Sequence, residues 1–382
     1  MSSARLTYLD YNATTPLDIR VVQAMNPYFT QVFGNAASGH AAGMLARSGV
    51  EKARGQVATI LRAAAEEIVF TSGATEANNL AIKGAAEGSA SRGRHVITQA
   101  TEHKAVLDTC KALERRGWEV TVLPTDSSGL ISLDALAAAI RTETTLVSIM
   151  WANNETGVVQ PIRRIGALCR QRGVLFHTDA TQAVGKLPID VQADGVDLLS
   201  LSAHKFYGPK GAGALFVRRG VPLQIQMDGG GHERGMRSGT LNVAGIVGLG
   251  AACAIAREEM TAEAPRLAAL RDRLETGIRT QIPGVVINGT PEHRLPHCCN
   301  LSFSDVDGAA LLAGFEDVCV SSGSACTSAI KAPSFVLKAM GVPDDLALAS
   351  VRYSLGRMTT DRDVDRAVAK TVELVRGLRR AP

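Results

Sequence analysis

Lys205 stands in the run Ser202-Ala203-His204-Lys205-Phe206-Tyr207-Gly208-Pro209-Lys210-Gly211, just past an apolar stretch and before a Gly/Pro turn. A lysine held rigidly at a strand end can form a Schiff base with an aldehyde cofactor, and desolvation makes its amine nucleophilic. A surface lysine in a loop fits the same residues. Asp179 closes the run Val174-Leu175-Phe176-His177-Thr178-Asp179. An acid at a buried strand end needs a cation or several hydrogen bonds, and a protonated ring nitrogen is such a cation. A helix N-cap ahead of Ala180-Thr181-Gln182 is the competing reading.

Further segments bear on the same chemistry. Thr71-Ser72-Gly73-Ala74-Thr75-Glu76 joins an apolar strand to a helix. The N–H groups of Ala74 and Thr75 could take a phosphate there, with Gly73 allowing close approach, unless Ser72 and Thr75 simply cap the helix. Met227–Thr240 is rich in glycine, which implies an irregular loop in which the Thr240 hydroxyl could reach a phosphate. In Ser321-Ser322-Gly323-Ser324-Ala325-Cys326-Thr327-Ser328, small residues surround one thiol, which suits a shuttling cysteine better than a core one. For Cys110, Cys169, Cys253 and Cys319, each in an apolar run, a buried inert thiol is expected. Cys298 and Cys299 are adjacent and cannot both face the core of one strand. His103 could stack on a planar ring and move protons. Arg352 could hold a carboxylate in two-pronged fashion or make a structural salt bridge, and Asn154 could flank ring and substrate.

The elements that must position these residues alternate. Apolar strands are expected at 67–71, 95–98, 119–123, 145–150, 174–177, 197–201 and 214–217, with helical patterns from Thr75 and over 106–116, 133–140 and 162–172 between most of them. That alternation predicts an α/β fold with a mostly parallel sheet covered on both faces. Ligands of such sheets sit beyond the carboxyl ends of the strands, where Lys205, Asp179 and His103 fall. After about Glu259 a helix over 264–279, strands at 285–288, 299–303 and 318–321, and helices at 334–340 and 361–379 predict a smaller α+β unit.

Composition sets the limits. The chain has 382 residues, 46% of them hydrophobic and 4% aromatic, which favours a sizeable core with tight turns over disorder. A net charge of +4, without a dense basic run, gives no reason to expect direct nucleic-acid binding. Seven cysteines without a CxxC pair, no signal-like start and no membrane-length apolar stretch predict a cytoplasmic protein with no membrane association. No cluster has zinc or iron spacing and no GxGxxG opens the first helix, so neither a metal site in the isolated chain nor a dinucleotide fold is expected.

Taken together, Tyr8–Pro16 (YLDYNATTP), Thr71–Asn79 (TSGATEANN), Thr101–Cys110 (TEHKAVLDTC), Ser202–Gly211 (SAHKFYGPKG), Gly229–Leu241 (GGGHERGMRSGTL) and Ser321–Ser328 (SSGSACTS) resemble the NifS/IscS-type cysteine desulfurases of the class-V aminotransferase superfamily, from Tyr8 to about Arg376. The resemblance implies a fold-type I transferase dependent on pyridoxal 5'-phosphate, with a seven-stranded large domain (16–259) and a small domain (1–15 and 260–382) carrying the Cys326 loop. It implies that Lys205 holds the cofactor, that Asp179 pairs with the ring nitrogen and that Gln182 contacts the ring hydroxyl. Ala74, Thr75, Ser202 and His204 bind phosphate, with Thr240 reaching in from the partner of a homodimer. Asn154 and Arg352 hold the carboxylate of L-cysteine, Lys205 and His103 move protons, and Cys326 receives the sulfur as a persulfide. Cys326 could also ligate a transferred iron–sulfur cluster. The loop before Cys326 matches the long-loop group rather than shorter-loop relatives that favour selenocysteine. The chain ends at Pro382, where IscS-type members usually carry a tail that docks the iron–sulfur scaffold, so the acceptor is that scaffold or another protein or RNA. Selenocysteine lysis, another C–S lyase or aminotransferase reaction, or a non-enzymatic scaffold role are the alternatives on this fold.

Overall fold

The computed structural model describes residues 6–323 and 332–380. In chain order, β1 (Thr7–Tyr8) precedes α1 (Ile19–Met25), α2 (Pro27–Thr30) and α3 (Ala41–Leu61). Then come β2 (Ile68–Thr71), α4 (Ala74–Gly88), β3 (His95–Gln99), α5 (Lys104–Glu114), β4 (Glu119–Leu123), α6 (Leu133–Ala139), β5 (Thr144–Ser148), α7 (Ile162–Gln171), β6 (Leu175–Asp179), β7 (Leu198–Ser202) and β8 (Gly213–Val217). Strands β2 to β8 form one seven-stranded sheet in the order β2-β8-β7-β6-β5-β3-β4. Strand β8 runs antiparallel to both its neighbours and the remaining pairs are parallel.

The strands β2, β3, β5, β7 and β8 are buried along their whole length, because helices cover both faces; this is why each reads as a continuous apolar run. Edge strand β4 alternates and is half exposed. Helix α7 shows the complementary period: Ile162, Ile165, Gly166 and Cys169 face inward. From β3 the chain steps outward to β4, then returns to β5 on the other side of β3 and continues through β6 and β7. The strand order therefore reverses between β3 and β5, the place where such sheets leave a crevice.

The chain continues with α8 (Val243–Arg279), β9 (Val285–Ile287), β10 (Cys298–Phe303), α9 (Gly308–Gly314), β11 (Val318–Cys319), α10 (Phe335–Ala339), α11 (Asp344–Leu348), β12 (Ser350–Ser354) and α12 (Asp361–Arg380). Strand β10 lies between β9 and β12 in an antiparallel sheet. A second core of Leu9, Leu270, Leu274, Leu301, Val351, Val364 and Val368 packs there. Strand β1 pairs with β11, so the first described residues join this second core.

Three local expectations need correction. The helix expected from Ala264 is the second half of α8, which is continuous through Pro265. Pro265 and Thr261 both lie on the exposed side, where water can replace the donor that Pro265 lacks. Strand β12, around Arg352, went unrecognised. Cys319 is partly exposed rather than buried. Cys298 and Cys299 do point to opposite faces of β10, but both faces are covered: Cys298 belongs to the large core and Cys299 to the small one.

At the inner end of β8, Gly213 lies against the turn after β2. A Cβ on Gly213 would stand 2.6 Å from Gly73 Cα and 2.6 Å from Leu201 O, both backbone atoms. Gly213→Ala should therefore destabilise the cofactor-free protein by about 1–3 kcal/mol through overpacking. An unchanged denaturant midpoint would show that the two backbones part freely.

Candidate active site

A cavity of about 490 Å³ opens beyond the carboxyl ends of β2, β3, β5, β6 and β7. Ala74 and Thr75 reach it after β2, His103 after β3, Asn154 after β5, Asp179 and Gln182 at the end of β6, and Ser202, His204 and Lys205 at the end of β7; Arg352 of β12 closes the far side. Ten expected site residues thus meet in one place. Thr240 does not line this cavity and is exposed. Cys326 lies outside the described residues.

Asp179 is 5% exposed. Its Oδ1 accepts from Thr181 N at 3.0 Å, so it does cap the turn after β6, while Oδ2 accepts from Asn78 Nδ2 at 2.7 Å. Both readings of this residue therefore hold at once. Behind it, His177 sits between Ser148 Oγ at 2.8 Å and Ser200 Oγ at 3.0 Å, and burial pushes its pKa down to about 4.

The lysine turn is strapped down by the N-terminal segment. Lys205 Nζ donates to Asn12 O at 2.7 Å and Ala13 O at 2.8 Å. Thr14 Oγ1 meets His204 Nδ1 at 3.1 Å, and Thr15 donates from N and Oγ1 to His204 O, both at 3.0 Å. Tyr207 holds a left-handed φ of 66°, costly for a residue with a Cβ. Its N–H donates to Thr15 Oγ1 at 2.7 Å and its hydroxyl accepts from Arg357 N at 2.6 Å, which hold the turn in that shape. The Asn12 side chain is spent as well: Oδ1 faces His297 Nε2 at 2.7 Å and Nδ2 donates to Asn154 O at 3.1 Å.

Helix α4 begins after Gly73, whose φ of 152° only glycine adopts readily. The expected cap by Ser72 is not made: Gly73 is the N-cap, and the helix start has no side-chain cap hydrogen bond among the described residues. Glu76 instead accepts from Ser72 N at 2.8 Å and from Arg237 Nε at 2.7 Å, tying α4 to the glycine-rich loop. Glu233 and Arg234 of that loop both have left-handed φ values, 48° and 56°. The carboxylate of Glu233 takes both guanidinium nitrogens of Arg54 at 2.7 and 2.8 Å, and the N–H of Phe70 on edge strand β2 at 2.8 Å.

His103 is the N-cap of α5, and its Nδ1 accepts from Ala105 N at 3.1 Å. A backbone N–H can only donate, so the neutral ring carries its proton on Nε2. Burial lowers its pKa, which keeps the neutral form. Arg352 is 1% exposed; it pairs with Asp10 at 2.6 Å and donates to Asn154 O at 2.8 Å, so the structural salt bridge and the cavity-lining position coexist. Glu102, beside His103, accepts from Met150 N at 2.5 Å, and complete burial raises its pKa well above the carboxylate range. Asn12, Asn78, Glu102 and the Arg54–Glu233 pair were given no role from sequence; their partners are far away in the chain and leave no local pattern.

The Aminotransferase class-V family model matches residues 7–367. The cysteine desulfurase IscS of Anaeromyxobacter sp. (strain Fw109-5) is 58% identical over 375 residues, covering 97% of this chain and 93% of that protein. Among solved structures, a NifS-like protein superposes with a TM-score of 0.91 at 39% identity, covering 98% of this chain and 100% of its own. SspA in complex with cysteine gives 0.81 at 38% identity, covering 91% and 98%. The chain belongs to the class-V aminotransferase family and, within it, to the NifS/IscS-type group. These are enzymes of pyridoxal 5'-phosphate. The residues present fit that cofactor: α4 offers uncapped N–H groups for a phosphate, Asp179 offers a buried carboxylate for a ring cation, and Lys205 offers an amine at the same cavity.

Arg54 and Glu233 are 3% and 6% exposed. Arg54→Ala would strand the carboxylate in the core and should cost about 3–5 kcal/mol of unfolding free energy. A loss below about 1 kcal/mol on denaturant titration would mean the pair does not hold the loop.

Proposed function

We infer that the chain is a cysteine desulfurase, releasing L-alanine from L-cysteine and passing the sulfur through Cys326 to an acceptor. What carries this reading is the convergence of Lys205, Asp179 and the uncapped start of α4 on a single cavity that Arg352 also lines. The cofactor, when bound, supplies the electron sink that makes the substrate's α-proton removable. Lys205 would hold it through Nζ, and the same amine, which lines the cavity, would take that proton. Asp179 would pair with the ring nitrogen and Gln182 would contact the ring oxygen. Ala74, Thr75, Ser202 and His204 hold the phosphate, and Asn154 and Arg352 hold the substrate carboxylate. His103 would stack on the ring, and its neutral imidazole carries a proton on Nε2 that it could pass on.

Cys326 attacks the substrate sulfur as a thiolate. A sulfur–sulfur bond forms, the substrate's Cβ–S bond breaks, and the electron pair stays on carbon, which gains a proton. L-cysteine plus one thiol thus become L-alanine plus one persulfide. An iron–sulfur scaffold protein or another acceptor then takes the outer sulfur.

The working unit is a homodimer in which Thr240 reaches the partner's phosphate site. Ile19, Phe29, Phe33, Met44 and Leu45, all exposed within a short stretch of chain, support an apolar contact face. The chain divides into a large domain (16–259) and a small one (1–15 with 260–382); the separate core of Leu9, Leu270, Leu301, Val351 and Val364 supports this division, although Leu295 and Cys298 pack into the large core. Placement in the cytoplasm rests on the unpaired cysteines. No helix among the described residues is long and apolar enough to cross a membrane.

Purified enzyme given L-cysteine and a reductant should release alanine and sulfide in equal amounts, and Cys326→Ala should stay yellow yet form no persulfide. Alanine without sulfide, or a persulfide mapped by mass spectrometry to another cysteine, would overturn the assignment. Phe33→Glu should shift the protein from dimer to monomer in light scattering; an unaltered dimer would exclude this face.

A further inference from the structure

Gln182 follows β6 in a helical turn, and Lys186 stands four residues on, one turn further along. Lys186 Nζ donates to Gln182 Oε1 at 2.8 Å. An ammonium group has only donors, so the amide oxygen is committed to Lys186 and the NH2 group must point the other way. One of its N–H bonds meets Asn12 O at 2.9 Å. Gln182 is 3% exposed yet lines the cavity, so the second N–H is the polar group it can present there. The amide's polarity is set from both ends, by a cation at its oxygen and by a carbonyl at its nitrogen. The cation also polarises the amide, which strengthens the N–H as a donor.

We propose that Lys186 is a positioning residue that fixes and sharpens Gln182 as a hydrogen-bond donor toward an anionic oxygen of the cofactor ring. The proposal rests on the reading of Gln182 as the ring-oxygen contact. The setting of Lys186 supports it. Its side chain runs along a narrow crevice between α8 and the segment before β10, lined by Met260, Glu263, Leu267 and His297. Burial first, then the charge of Lys205, push its pKa down to about 7. The other charged or titratable groups that face it are Glu263 of α8, Cys298 of β10, His297 just before it, Arg352 of β12, and His204 of the lysine turn. With the Gln182 amide oxygen as its hydrogen-bond acceptor among the described residues, the Lys186 amine is placed to act through that amide.

A donor on the ring oxygen favours the less protonated form of the bound chromophore, so losing it should raise the pH midpoint of the visible absorbance band. The test is a spectrophotometric pH titration of the holoenzyme in wild type, Lys186→Met, Lys186→Arg and Gln182→Met. Lys186→Met should raise the midpoint by about one unit, the size of one hydrogen bond's net contribution. Lys186→Arg, which keeps a charged donor, should restore it, and Gln182→Met should raise it at least as far as Lys186→Met. A purely structural Lys186 would alter stability and leave the midpoint in place. If Gln182→Met moves the midpoint and Lys186→Met does not, the proposal fails while the role of Gln182 stands. If Gln182→Met leaves it unmoved, both fall. Should Lys186→Met not fold, Lys186→Leu gives the same reading.

Discussion

Asp179 places a carboxylate at the end of a strand that is covered on both faces, and a charge so buried must be met by donors or a cation. Asn78 and Thr181 supply two donors, leaving the carboxylate within a cavity into which a ring cation can come. Much of the surrounding architecture serves that placement. The parallel strands bring their carboxyl ends to one side, and the reversal of strand order between β3 and β5 opens the crevice there. Asn78 comes from the same helix whose first turn opens on the cavity, so one element, α4, supplies both that turn and a partner for the Asp179 carboxylate.

The second constraint is the strap formed by residues 10–18. It joins the small sheet to the lysine turn: Asn12 N donates to Ser354 Oγ, while the carbonyls of Asn12 and Ala13 accept from Lys205. The left-handed Tyr207 is tied to the strap by Thr15 and to the far segment by Arg357, whose guanidinium lies 4.1 Å from the Tyr207 ring centre. The turn that carries Lys205 is thereby held on two sides. The left-handed turn at Tyr207, two residues from the amine, is held from one side by the strap and from the other by the segment after β12.

The large sheet was legible because buried parallel strands write themselves as short apolar runs, and all seven fell where those runs lie. Strand β12 was not, because Ser350-Val351-Arg352-Tyr353-Ser354 alternates with polar residues and owes its pairing to β10, about fifty residues earlier in the chain. Site residues at strand ends, such as Lys205 and Asp179, could be read from their place in the pattern. Asn78 and Asn12 could not: one reaches Asp179 across 101 positions and the other reaches Lys205 across 193. The two cysteines of β10 show the same limit. Alternation correctly put them on opposite faces, but only the packing of the second core shows that both faces are buried.

Electrostatics explains why this cavity favours anions near neutral pH. The histidines around it are held neutral: burial, with Lys205, Lys210 and Lys186 adding to it, pushes His204 down to about 4, and burial likewise lowers His103, His177 and His297. Glu102 is pushed the other way, toward its neutral acid form. Positive charge therefore rests on lysine and arginine, whose number exceeds that of the carboxylates left to them. Glu76 is occupied by Arg237, and Asp10 by Arg352. Lys205 and Lys210 line the cavity, with Lys186 behind Gln182. A phosphate at α4 and an amino-acid carboxylate at Arg352 are the two anions that such a surplus of cations would balance.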